Sequence, residues 1–454
     1  MTEVERAKHI HLVGIGGCSM SGIACILKAQ GHTVTGSDRE ATQFTPSLDR
    51  AGIPWTAGHG DTLPAGTDLV IYSAAIKPEN PERAYARARG IPELERSVAL
   101  GQISEGFDET VAIAGCHGKT TVTSMLTYVL ERAGHDATVH VGGFMDLLGG
   151  GVRMGGRELF LTEACEYVES FLTLSPTVAL INNIDNDHLD YYKNFDNIVR
   201  AFEKFLARLP EDGTFIACVD DPTVKKLLAA DTHRQITYGM AEGADYTPRN
   251  IRYDENGCPS FEVIAYGASR GTVELRVPGA HNIVNALGVI AVAERLRIPF
   301  ASIAEGLNAF VNTKRRFEFF GERDGIRVYH DYGHHPNEIR ATLAAAKNVP
   351  HNRLFCVFQC NSFTRAKTLF CENVTCFGDA DKVLVADIYP GREKDTGIVH
   401  ARDMAAGINS ATGNALYLGT FEAMRDWLDA NGQPGDLVVT VGSGDVYKQT
   451  RKLL

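Results

Sequence analysis

A lysine and two threonines close a glycine-rich stretch, GCHGKTT, at residues 115–121. This is the short form of a phosphate-binding loop, in which glycines let main-chain amides close around phosphate oxygens. In such a loop Lys119 reaches the β- and γ-phosphates, and the hydroxyl of Thr120 is a ligand for Mg²⁺. The alternative is a plain connection between a strand and a helix that contains a lysine. The segment predicts a site for a nucleoside triphosphate.

A second glycine-rich turn, GIGGCSMSG, runs from Gly14 to Gly22. Its pattern departs from the dinucleotide fingerprint GxGxxG, although Asp38 closes the next predicted strand, where such sites place a partner for the ribose. The alternative is a tight turn beneath a packed helix. Two phosphate-binding turns predict two nucleotides. One would supply energy, and the other would be the part of the substrate by which the protein binds it.

A carboxylate and an imidazole follow two further predicted strands. Glu163 lies after ELFLT, and His188 lies after TVALI. Both positions are at the carboxyl ends of strands, on the crevice side of an open α/β sheet, so both can converge on a metal bound at phosphates. The alternatives are a solvated loop acid and a capping or core histidine. Asp187 and Asp190 lie so near His188 that spacing alone does not choose among them.

Adjacent histidines follow another predicted strand, in the segment HDYGHHPNEI. Asp331 ends the strand, His334 and His335 lie in the turn, and Pro336 suits the first position of a helix. These polar groups predict a binding role at a strand end, and a loop-and-cap role is the alternative.

A basic run precedes that segment, at Lys314, Arg315 and Arg316 in KRRFEFF. These side chains could meet phosphate charge if the domains close on each other. The alternative is a solvated basic linker.

The elements that must position these residues alternate between strand and helix in three blocks. Short, nearly continuous apolar strands alternating with helices are typical of parallel α/β sheets. Residues 247–277 break this rhythm and predict a small antiparallel sheet. We therefore predict an α/β protein with three domains: a Rossmann-like domain at 1–108, a P-loop ATPase-like domain at 109–312, and a Rossmann-like domain at 313–454.

Bulk composition excludes several classes of protein. The chain has 454 residues, of which 44% are hydrophobic and 22% charged, and this is typical of a globular protein. Its net charge of −11 argues against a nucleic-acid partner. The ten cysteines lack the spacing of a zinc site. With no secretory signal and no membrane-spanning run, the expected location is the cytoplasm, without membrane insertion.

Nine ordered segments resemble the Mur ligase family along nearly the whole chain. They are HLVGIGGCSMSGIA, TGSD, GCHGKTT, TEACEYVESFL, NNIDNDHLDYY, PGAHNIVNA, RRFE, HDYGHHPNEI and VGSGD. The resemblance implies an ATP-dependent amide ligase of peptidoglycan precursor synthesis that works through an acyl phosphate. It implies UDP-N-acetylmuramate on the first domain, ATP with Mg²⁺ on the second and L-alanine on the third.

The resemblance also implies four sets of site residues. The sugar nucleotide would contact Gly14, Gly16, Gly17, Ser19, Met20, Ser21, Gly22, Ser37 and Asp38. ATP would contact Gly115, Cys116, His117, Gly118, Lys119, Thr120, Thr121, His281, Asn282, Asn285, Arg316 and Asp331. Magnesium would bind Thr120, Glu163 and His188, and the amino acid would contact Tyr332, His334, His335 and Arg365. Lys119, Glu163, His188 and Arg316 would be catalytic.

Two segments depart from the family pattern. Cys116 stands where threonine is commoner, and its side chain need not touch phosphate. The segment FQCNSFTRAK has Cys360 and Asn361 where the family usually has proline and histidine, although Arg365 remains. This second departure puts substrate contacts of the third domain in doubt.

Three other functions stay open at this point. One is a Mur-type ligase that adds a whole peptide to the same sugar nucleotide. Another is a catalytically weakened nucleotide-binding paralogue, which only the altered QCNSF stretch favours. A dehydrogenase would explain GIGG but would leave the P-loop unused. Oligomeric state, metal preference and any modification of Lys204 are not decided by the sequence.

Overall fold

The computed structural model describes residues 1–312, 314–391 and 393–454. The described residues form two compact units. Unit 1 comprises Met1–Thr247, Ala265–Ala268 and Asn285–Leu307, and unit 2 comprises Pro248–Ile264, Ser269–Val284 and Asn308–Leu454. The division into three domains at 108/109 and 312/313 stays a prediction, and Thr313, where the third domain would begin, lies outside the described residues.

The first sheet of unit 1 has five parallel strands in the order β3-β2-β1-β4-β5. They are β1 (His9–Val13), β2 (Thr33–Asp38), β3 (Trp55–Ala57), β4 (Leu69–Tyr72) and β5 (Glu93–Glu95). The helices are α1 (Glu3–Arg6), α2 (Cys18–Ala29), α3 (Thr45–Arg50), α4 (Pro81–Ala88) and α5 (Arg96–Ser104). β4 reads LVIY, a continuous apolar run that suits a parallel strand covered on both faces. Gly31 follows α2 with φ of +96°, a conformation that favours glycine at a helix end.

The second sheet contributes seven strands to unit 1, in the order β12-β11-β10-β6-β9-β7-β8. They are β6 (Glu109–Ala114), β7 (Thr138–Met145), β8 (Gly150–Arg153), β9 (Leu159–Glu163), β10 (Val178–Ile181), β11 (Thr214–Cys218) and β12 (Arg234–Tyr238). The neighbouring pairs are parallel except β7 and β8. Because β6 lies between β10 and β9, the carboxyl ends of these three strands meet at one edge of the sheet.

Four helices accompany these strands. They are α6 (Lys119–Arg132), α7 (Leu189–Tyr192), α8 (Phe195–Leu206) and α9 (Pro222–Ala230), together with a 3-10 segment, Tyr167–Thr173. The sequence places caps where helices begin: Asp221, for example, accepts hydrogen bonds from the main-chain N–H groups of Thr223 and Val224 at the start of α9. One hydrophobic core runs from Val4 to Leu227 and joins both sheets of unit 1.

Three more strands and two helices occupy the middle of the chain. They are β13 (Tyr246–Tyr253), β14 (Pro259–Ala265), β15 (Ala268–Glu274), α10 (Ala280–Arg295) and α11 (Phe300–Ala309). The strands β13, β14 and β15 are hydrogen-bonded in that order. The segment 247–277, predicted as a small antiparallel sheet, thus forms neighbouring strands that continue the second sheet beyond β12.

The third sheet, in unit 2, has the order β16-β17-β21-β18-β19-β20. Its strands are β16 (Glu318–Arg323), β17 (Ile326–Asp331), β18 (Leu354–Phe358), β19 (Lys382–Ala386), β20 (Ala415–Gly419) and β21 (Leu437–Val441). The pairs are parallel except that β16 adds to the edge antiparallel to β17. The prediction of an α/β protein built on parallel sheets is confirmed.

The helices of unit 2 cover both faces of the third sheet. They are α12 (Pro336–Lys347), α13 (Phe363–Thr368), α14 (Phe370–Val374), α15 (Ala401–Thr412), α16 (Phe421–Asn431) and α17 (Val446–Gln449), followed by a 3-10 segment, Thr450–Leu453. Successive strand residues enter opposite cores: Val383 and Val385 lie in one, and Leu384 lies in the other. This alternation follows from the two-residue period of a strand.

Among the described residues, no helix combines the length and the apolar character needed to cross a membrane.

Candidate active site

The glycine-rich loop connects the carboxyl end of β6 to the first residue of α6, as the sequence predicted. Gly115 and Gly118 have φ values of +131° and +83°. A Cβ atom at Gly118 would lie 2.5 Å from Nδ2 of Asn182 and 2.9 Å from Oδ1 of Asn285. Only glycine fits there, because a side chain would meet both a strained backbone and two polar groups. The start of α6 adds the positive end of a helix dipole at the loop.

Two asparagines that sequence reasoning missed hold this loop from the neighbouring strand β10. Asn183 accepts a hydrogen bond from the main-chain N–H of His117 at 2.8 Å. Asn182 donates to the main-chain carbonyl of His117 at 3.1 Å and to Asn285 Oδ1 at 3.1 Å. The side chain of Asn285 thus contacts Asn182, one of the two asparagines that hold the P-loop. The only sequence signal for this role was the position of both asparagines directly after an apolar strand.

The side chain of Cys116 is turned away from the centre of the loop. Its Sγ lies 3.1 Å from the main-chain N–H of Asp185, which donates to it, and burial raises the pKa of this thiol well above its usual value. The ring of His117 contacts the carboxylate of the same Asp185, with 2.8 Å between Nε2 and Oδ2. Thr121 is buried at the start of α6. Cysteine in place of threonine at 116 therefore leaves the main-chain cradle intact.

Lys119 is held by three oxygens in this structure. Its Nζ donates to the carbonyls of Gly115 and Cys116 at 2.5 and 3.2 Å and to Oε2 of Glu166 at 2.7 Å. Burial alone would lower the pKa of this ammonium group, but the charge of Glu166 outweighs burial and raises it. The lysine is therefore charged, and its ammonium group is held between the loop and Glu166. Sequence reasoning named Glu163 and missed Glu166.

Thr120 and Glu163 lie side by side at the first turn of α6. The hydroxyl of Thr120 donates to Glu163 Oε2 at 3.0 Å, and the main-chain N–H of Gly142 donates to Oε1 at 2.6 Å. A Cβ at Gly142 would stand 2.8 Å from this carboxylate, so glycine keeps the approach open. Hydroxyl and carboxylate oxygens are ligands that Mg²⁺ prefers. The residues present thus fit the predicted metal site.

His188 lies at the start of α7 in a left-handed backbone conformation, with φ of +54°. Such strain in a residue other than glycine is often found at functional sites. Its Nε2 is 3.4 Å from Glu166 Oε1, and its ring centroid is 4.7 Å from that of Tyr167. Asp187 accepts a hydrogen bond from the main-chain N–H of His188. Asp190 accepts one from the hydroxyl of Tyr167.

The N-terminal glycine turn connects β1 to α2. Gly14 has φ of +85°, and the main-chain N–H of Gly16 donates to Asp38 Oδ2 at 2.8 Å. A Cβ at Gly16 would stand 3.0 Å from that oxygen. The glycine turn and Asp38, the acid at the end of β2, are therefore adjacent, as the sequence predicted. Asp38 accepts its hydrogen bond from the turn itself.

Several other predicted sugar-nucleotide residues have partners inside unit 1. Ser19 Oγ lies 3.0 Å from Nε2 of His140, whose pKa burial lowers to about 4. A Cβ at Gly22 would stand 2.8 Å from the same ring, so this glycine allows α2 to pack on β7. The hydroxyl of Ser37 is fully buried and donates to Glu82. Met20 and Ser21 are buried, and Gly17 opens α2.

The remaining predicted ATP residues belong to unit 2. Asp331, at the end of β17, accepts hydrogen bonds from the main-chain N–H groups of Phe317 and Gly333. Arg316 lies 3.8 Å from Glu338, with its guanidinium carbon 5.3 Å from the ring centroid of Tyr332. Asn282 is buried and donates to the carbonyl of Pro278, and His281 is exposed at the start of α10.

Three of the four predicted amino-acid residues lie around the start of α12. Rings of Tyr332 and His334 meet edge to face at 5.4 Å. His335 caps the helix, because its Nδ1 accepts from the main-chain N–H of Asn337 at 3.4 Å. This contact of His335 is the helix-capping role that the sequence analysis gave as the alternative to a binding role. Arg365 lies on α13, where its main-chain N–H donates to Ser362.

Comparison with known proteins gives one family over the whole chain. Residues 9–108 match the Mur ligase family, catalytic domain, residues 113–293 match the Mur ligase middle domain, and residues 315–444 match the Mur ligase, glutamate ligase domain. The chain belongs to the Mur ligase family. The resemblance seen in the sequence is thereby confirmed.

Three relatives within the Mur ligase family illustrate the likeness. A UDP-N-acetylmuramate–L-alanine ligase of Caldanaerobacter subterraneus subsp. tengcongensis is 44% identical over 100% of this chain and 98% of its own. The solved UDP-N-acetylmuramate-alanine ligase of Thermotoga maritima has a TM-score of 0.80 at 28% identity, covering 99% and 98% of the two chains. A solved murein peptide ligase of Psychrobacter arcticus has a TM-score of 0.69 at 25% identity, covering 98% of each.

The departure from the Mur ligase pattern at Cys360 and Asn361 is accommodated locally. Cys360 is buried, and burial raises the pKa of its thiol to about 12. Asn361 donates from Nδ2 to the hydroxyl of Ser443 at 2.8 Å, across the carboxyl ends of β18 and β21. Its neighbour Ser362, with φ of +67°, caps α13. The carboxyl edge of the third sheet therefore keeps a polar group at the altered position.

Lys204 lies on the exposed side of α8 in this Mur ligase. Its Nζ is 2.8 Å from Oε1 of Glu169, and 60% of the side chain is exposed. Lys204 therefore forms a surface ion pair with Glu169.

Proposed function

We propose that this chain joins L-alanine to UDP-N-acetylmuramate, at the cost of ATP, in the synthesis of peptidoglycan precursors. The observation that carries the proposal is the convergence of Lys119, Thr120 and Glu163 on a glycine loop at one sheet edge, in a chain 44% identical to a UDP-N-acetylmuramate–L-alanine ligase. The first glycine turn would hold the UDP part of the substrate, the P-loop the ATP, and the start of α12 the alanine.

The reaction forms an amide in two chemical steps. The carboxylate of the sugar nucleotide attacks the γ-phosphorus, which gives an acyl phosphate and ADP. The amine of alanine then attacks the acyl carbon, the C–O bond to phosphate breaks, and the amide forms with loss of a proton. Lys119 and the amides of the P-loop stabilise the charge that spreads over the phosphoryl oxygens. Positioning of the two reactants contributes roughly 7–11 kcal/mol in reactions of this kind.

Thr120, Glu163 and His188 are the residues proposed to hold Mg²⁺. When bound there, the ion neutralises negative charge on the phosphate oxygens. Glu163 is oriented for this role by the main-chain N–H of Gly142, and Thr120 presents its hydroxyl from the first turn of α6. Arg316 and Asp331 of unit 2 are proposed to contact the nucleotide, and Tyr332, His334, His335 and Arg365 the amino acid.

A ligase that adds a whole peptide is the second candidate, because a murein peptide ligase shares the fold. The solved peptide ligase has a TM-score of 0.69, below the 0.80 of the solved alanine ligase, and this difference favours alanine as the substrate. Asn361 at the carboxyl edge of the third sheet is a local reason to test larger amines as well.

We place the protein in the cytoplasm, where ATP and nucleotide sugars are available. All ten cysteines are free, and none of them pairs in a disulfide among the described residues. Reduced cysteines are the usual state in a cytosolic compartment.

Phosphate release measures the proposed reaction directly. We expect release from ATP only when UDP-N-acetylmuramate and L-alanine are both present, with one amide formed per phosphate. A tripeptide that begins with L-alanine should replace alanine poorly. Release that needs the tripeptide would instead assign the peptide-adding activity, and release that needs neither amine nor sugar nucleotide would contradict the proposal.

Substitutions of the proposed metal ligands should change the dependence on magnesium. We expect Glu163→Gln and His188→Ala each to raise the Mg²⁺ concentration for half-maximal rate by about 10-fold or more, since each removes one ligand. The rate is measured as a function of free Mg²⁺ at fixed ATP. Asp190→Asn is the control, because Asp190 is bonded to Tyr167 on the exposed side. Unchanged magnesium dependence in both variants would leave the two residues with structural roles alone.

A further inference from the structure

Glu166 lies in the proposed site between Lys119 and His188. One carboxylate oxygen, Oε2, accepts a hydrogen bond from Lys119 Nζ at 2.7 Å. The other, Oε1, faces Nε2 of His188 at 3.4 Å. The side chain is 1% exposed. A single buried carboxylate therefore joins the phosphate-binding lysine to the proposed metal-binding histidine.

The two oxygens of Glu166 are not equally satisfied. Oε2 accepts a hydrogen bond from Lys119, whereas Oε1 has no hydrogen-bond partner among the described residues and lies 3.4 Å from Nε2 of His188. A buried acceptor without a partner is unfavourable, because it has lost its hydrogen bonds to water. If Glu166 served only as a counter-ion for Lys119, one oxygen would suffice, and the second would be better placed in solvent. The position of Oε1 thus points to His188.

The contact with His188 has a chemical consequence for the imidazole. A carboxylate can only accept a hydrogen bond, so Nε2 of His188 must carry the proton that faces it. In neutral imidazole the other nitrogen, Nδ1, then has the lone pair that a metal needs. Carboxylates that orient a metal-binding histidine in this way typically raise metal affinity 10–100-fold.

We propose that Glu166 is a positioning residue that fixes His188 in the Nε2–H form and so presents Nδ1 to the metal, while it anchors Lys119 at the P-loop. This inference rests on the proposed function, since it concerns the same nucleotide and metal site. Glu166 acts through two other side chains and touches neither substrate nor phosphate.

The tautomer of His188 can be read without nucleotide or metal. In Glu166→Gln, the amide oxygen is expected to stay on Lys119, which requires an acceptor, so the amide N–H₂ faces His188 Nε2. Nε2 must then accept, and the proton moves to Nδ1, because the other carboxylate near Nε2, that of Asp187, is farther away at 3.7 Å. Protein labelled with ¹⁵N-histidine, at about pH 8.5 where imidazoles are neutral, should show Nε2–H for His188 in the wild type and Nδ1–H in the variant. The His188→Ala spectrum identifies the signal.

Metal affinity provides the second measurement. Binding of Mn²⁺ is followed by electron paramagnetic resonance in the presence of a non-hydrolysable ATP analogue. We expect Glu166→Gln to lower the affinity for Mn²⁺ about 10–100-fold. The matched control is Glu169→Gln, a nearby acid paired with the exposed Lys204, and it should bind Mn²⁺ like the wild type.

A second variant keeps the test decisive if the glutamine variant does not fold. Glu166→Asp retains the charge for Lys119 but withdraws the carboxylate from His188 by one methylene group, and it should lose about 10-fold in Mn²⁺ affinity. Wild-type affinity in the aspartate variant, or an unchanged His188 tautomer in the glutamine variant, would overturn the proposal. Failure of the proposed function is distinct, because it would appear in the phosphate-release assay of the wild-type protein, on which neither the tautomer nor the Mn²⁺ measurement depends.

Discussion

Lys119→Ala is expected to reduce the rate of ligation about 10³-fold or more. Lys119 is the lysine of the P-loop, and three oxygens, from Gly115, Cys116 and Glu166, hold its ammonium group at the loop. Its charge is required only when the phosphoryl group moves, so the loss should be mainly in kcat. Steady-state phosphate release, with both substrates saturating, measures the effect.

The same substitution should also lower stability in a pH-dependent way. Burial would raise the pKa of Glu166, but Lys119 and His188 hold it below its ordinary value in the folded protein. That ion pair stabilises the fold above the unfolded pKa of the carboxyl group and does so less as the pH falls. Without Lys119 a buried charge is left, at a cost of about 3–5 kcal/mol. Thermal unfolding should therefore show the largest difference near neutral pH and a smaller one in acid.

Two controls separate the loss of activity from unfolding. Circular dichroism should show native secondary structure in Lys119→Ala at 25 °C. Lys225→Ala removes an exposed lysine from α9 and should leave the rate unchanged. Near-normal turnover in the Lys119 variant would remove the P-loop assignment.

Gly16→Val is expected to weaken the binding of UDP-N-acetylmuramate about 10-fold or more, while the affinity for ATP changes less than about twofold. A Cβ at Gly16 would stand 3.0 Å from Asp38 Oδ2 and 3.2 Å from methyl groups of Thr42 and Thr45. A valine must therefore displace Asp38 from the main-chain N–H of Gly16, and it fills the space in which a diphosphate would approach the backbone. The P-loop belongs to a different sheet and should be unaffected.

Isothermal titration with the sugar nucleotide and with a non-hydrolysable ATP analogue measures both affinities. In the wild-type protein the two ligands should bind together without displacing each other. Gly60→Ala is the control, because its Cβ would meet only Thr62 at 3.6 Å, an ordinary contact. Mutual competition, or loss of ATP binding in the Gly16 variant, would mean that the two glycine turns do not hold separate nucleotides.

Local patterns in the sequence predicted the parts of this protein that depend on neighbouring residues alone. The loop at 115–121 predicted a turn between a strand and a helix, because glycines and a following helical segment impose that geometry wherever they occur. Apolar runs such as TVALI and LFCVF predicted buried parallel strands. Glu163 and His188 both follow strands in the sequence. We predicted that they lie at the same edge of the sheet, because the carboxyl ends of parallel strands meet at one edge.

The tertiary structure alone decided which polar groups meet at that edge. The order β10-β6-β9 brings Asn182 and Asn183 under the P-loop, and no spacing along the chain indicates it. The same holds for the hairpin of β7 and β8 and for the antiparallel edge strand β16, for which no prediction was made.

Glu163 and Glu166 show why the sequence alone could not decide which polar groups meet. The two acids are three residues apart in one polar segment, and both read as loop carboxylates in the sequence. The fold turns Glu163 toward Thr120 and buries Glu166 between Lys119 and His188. Burial and charge pairing depend on groups distant in the chain, so a local pattern determines the kinds of residues available, and packing determines which of them share a site.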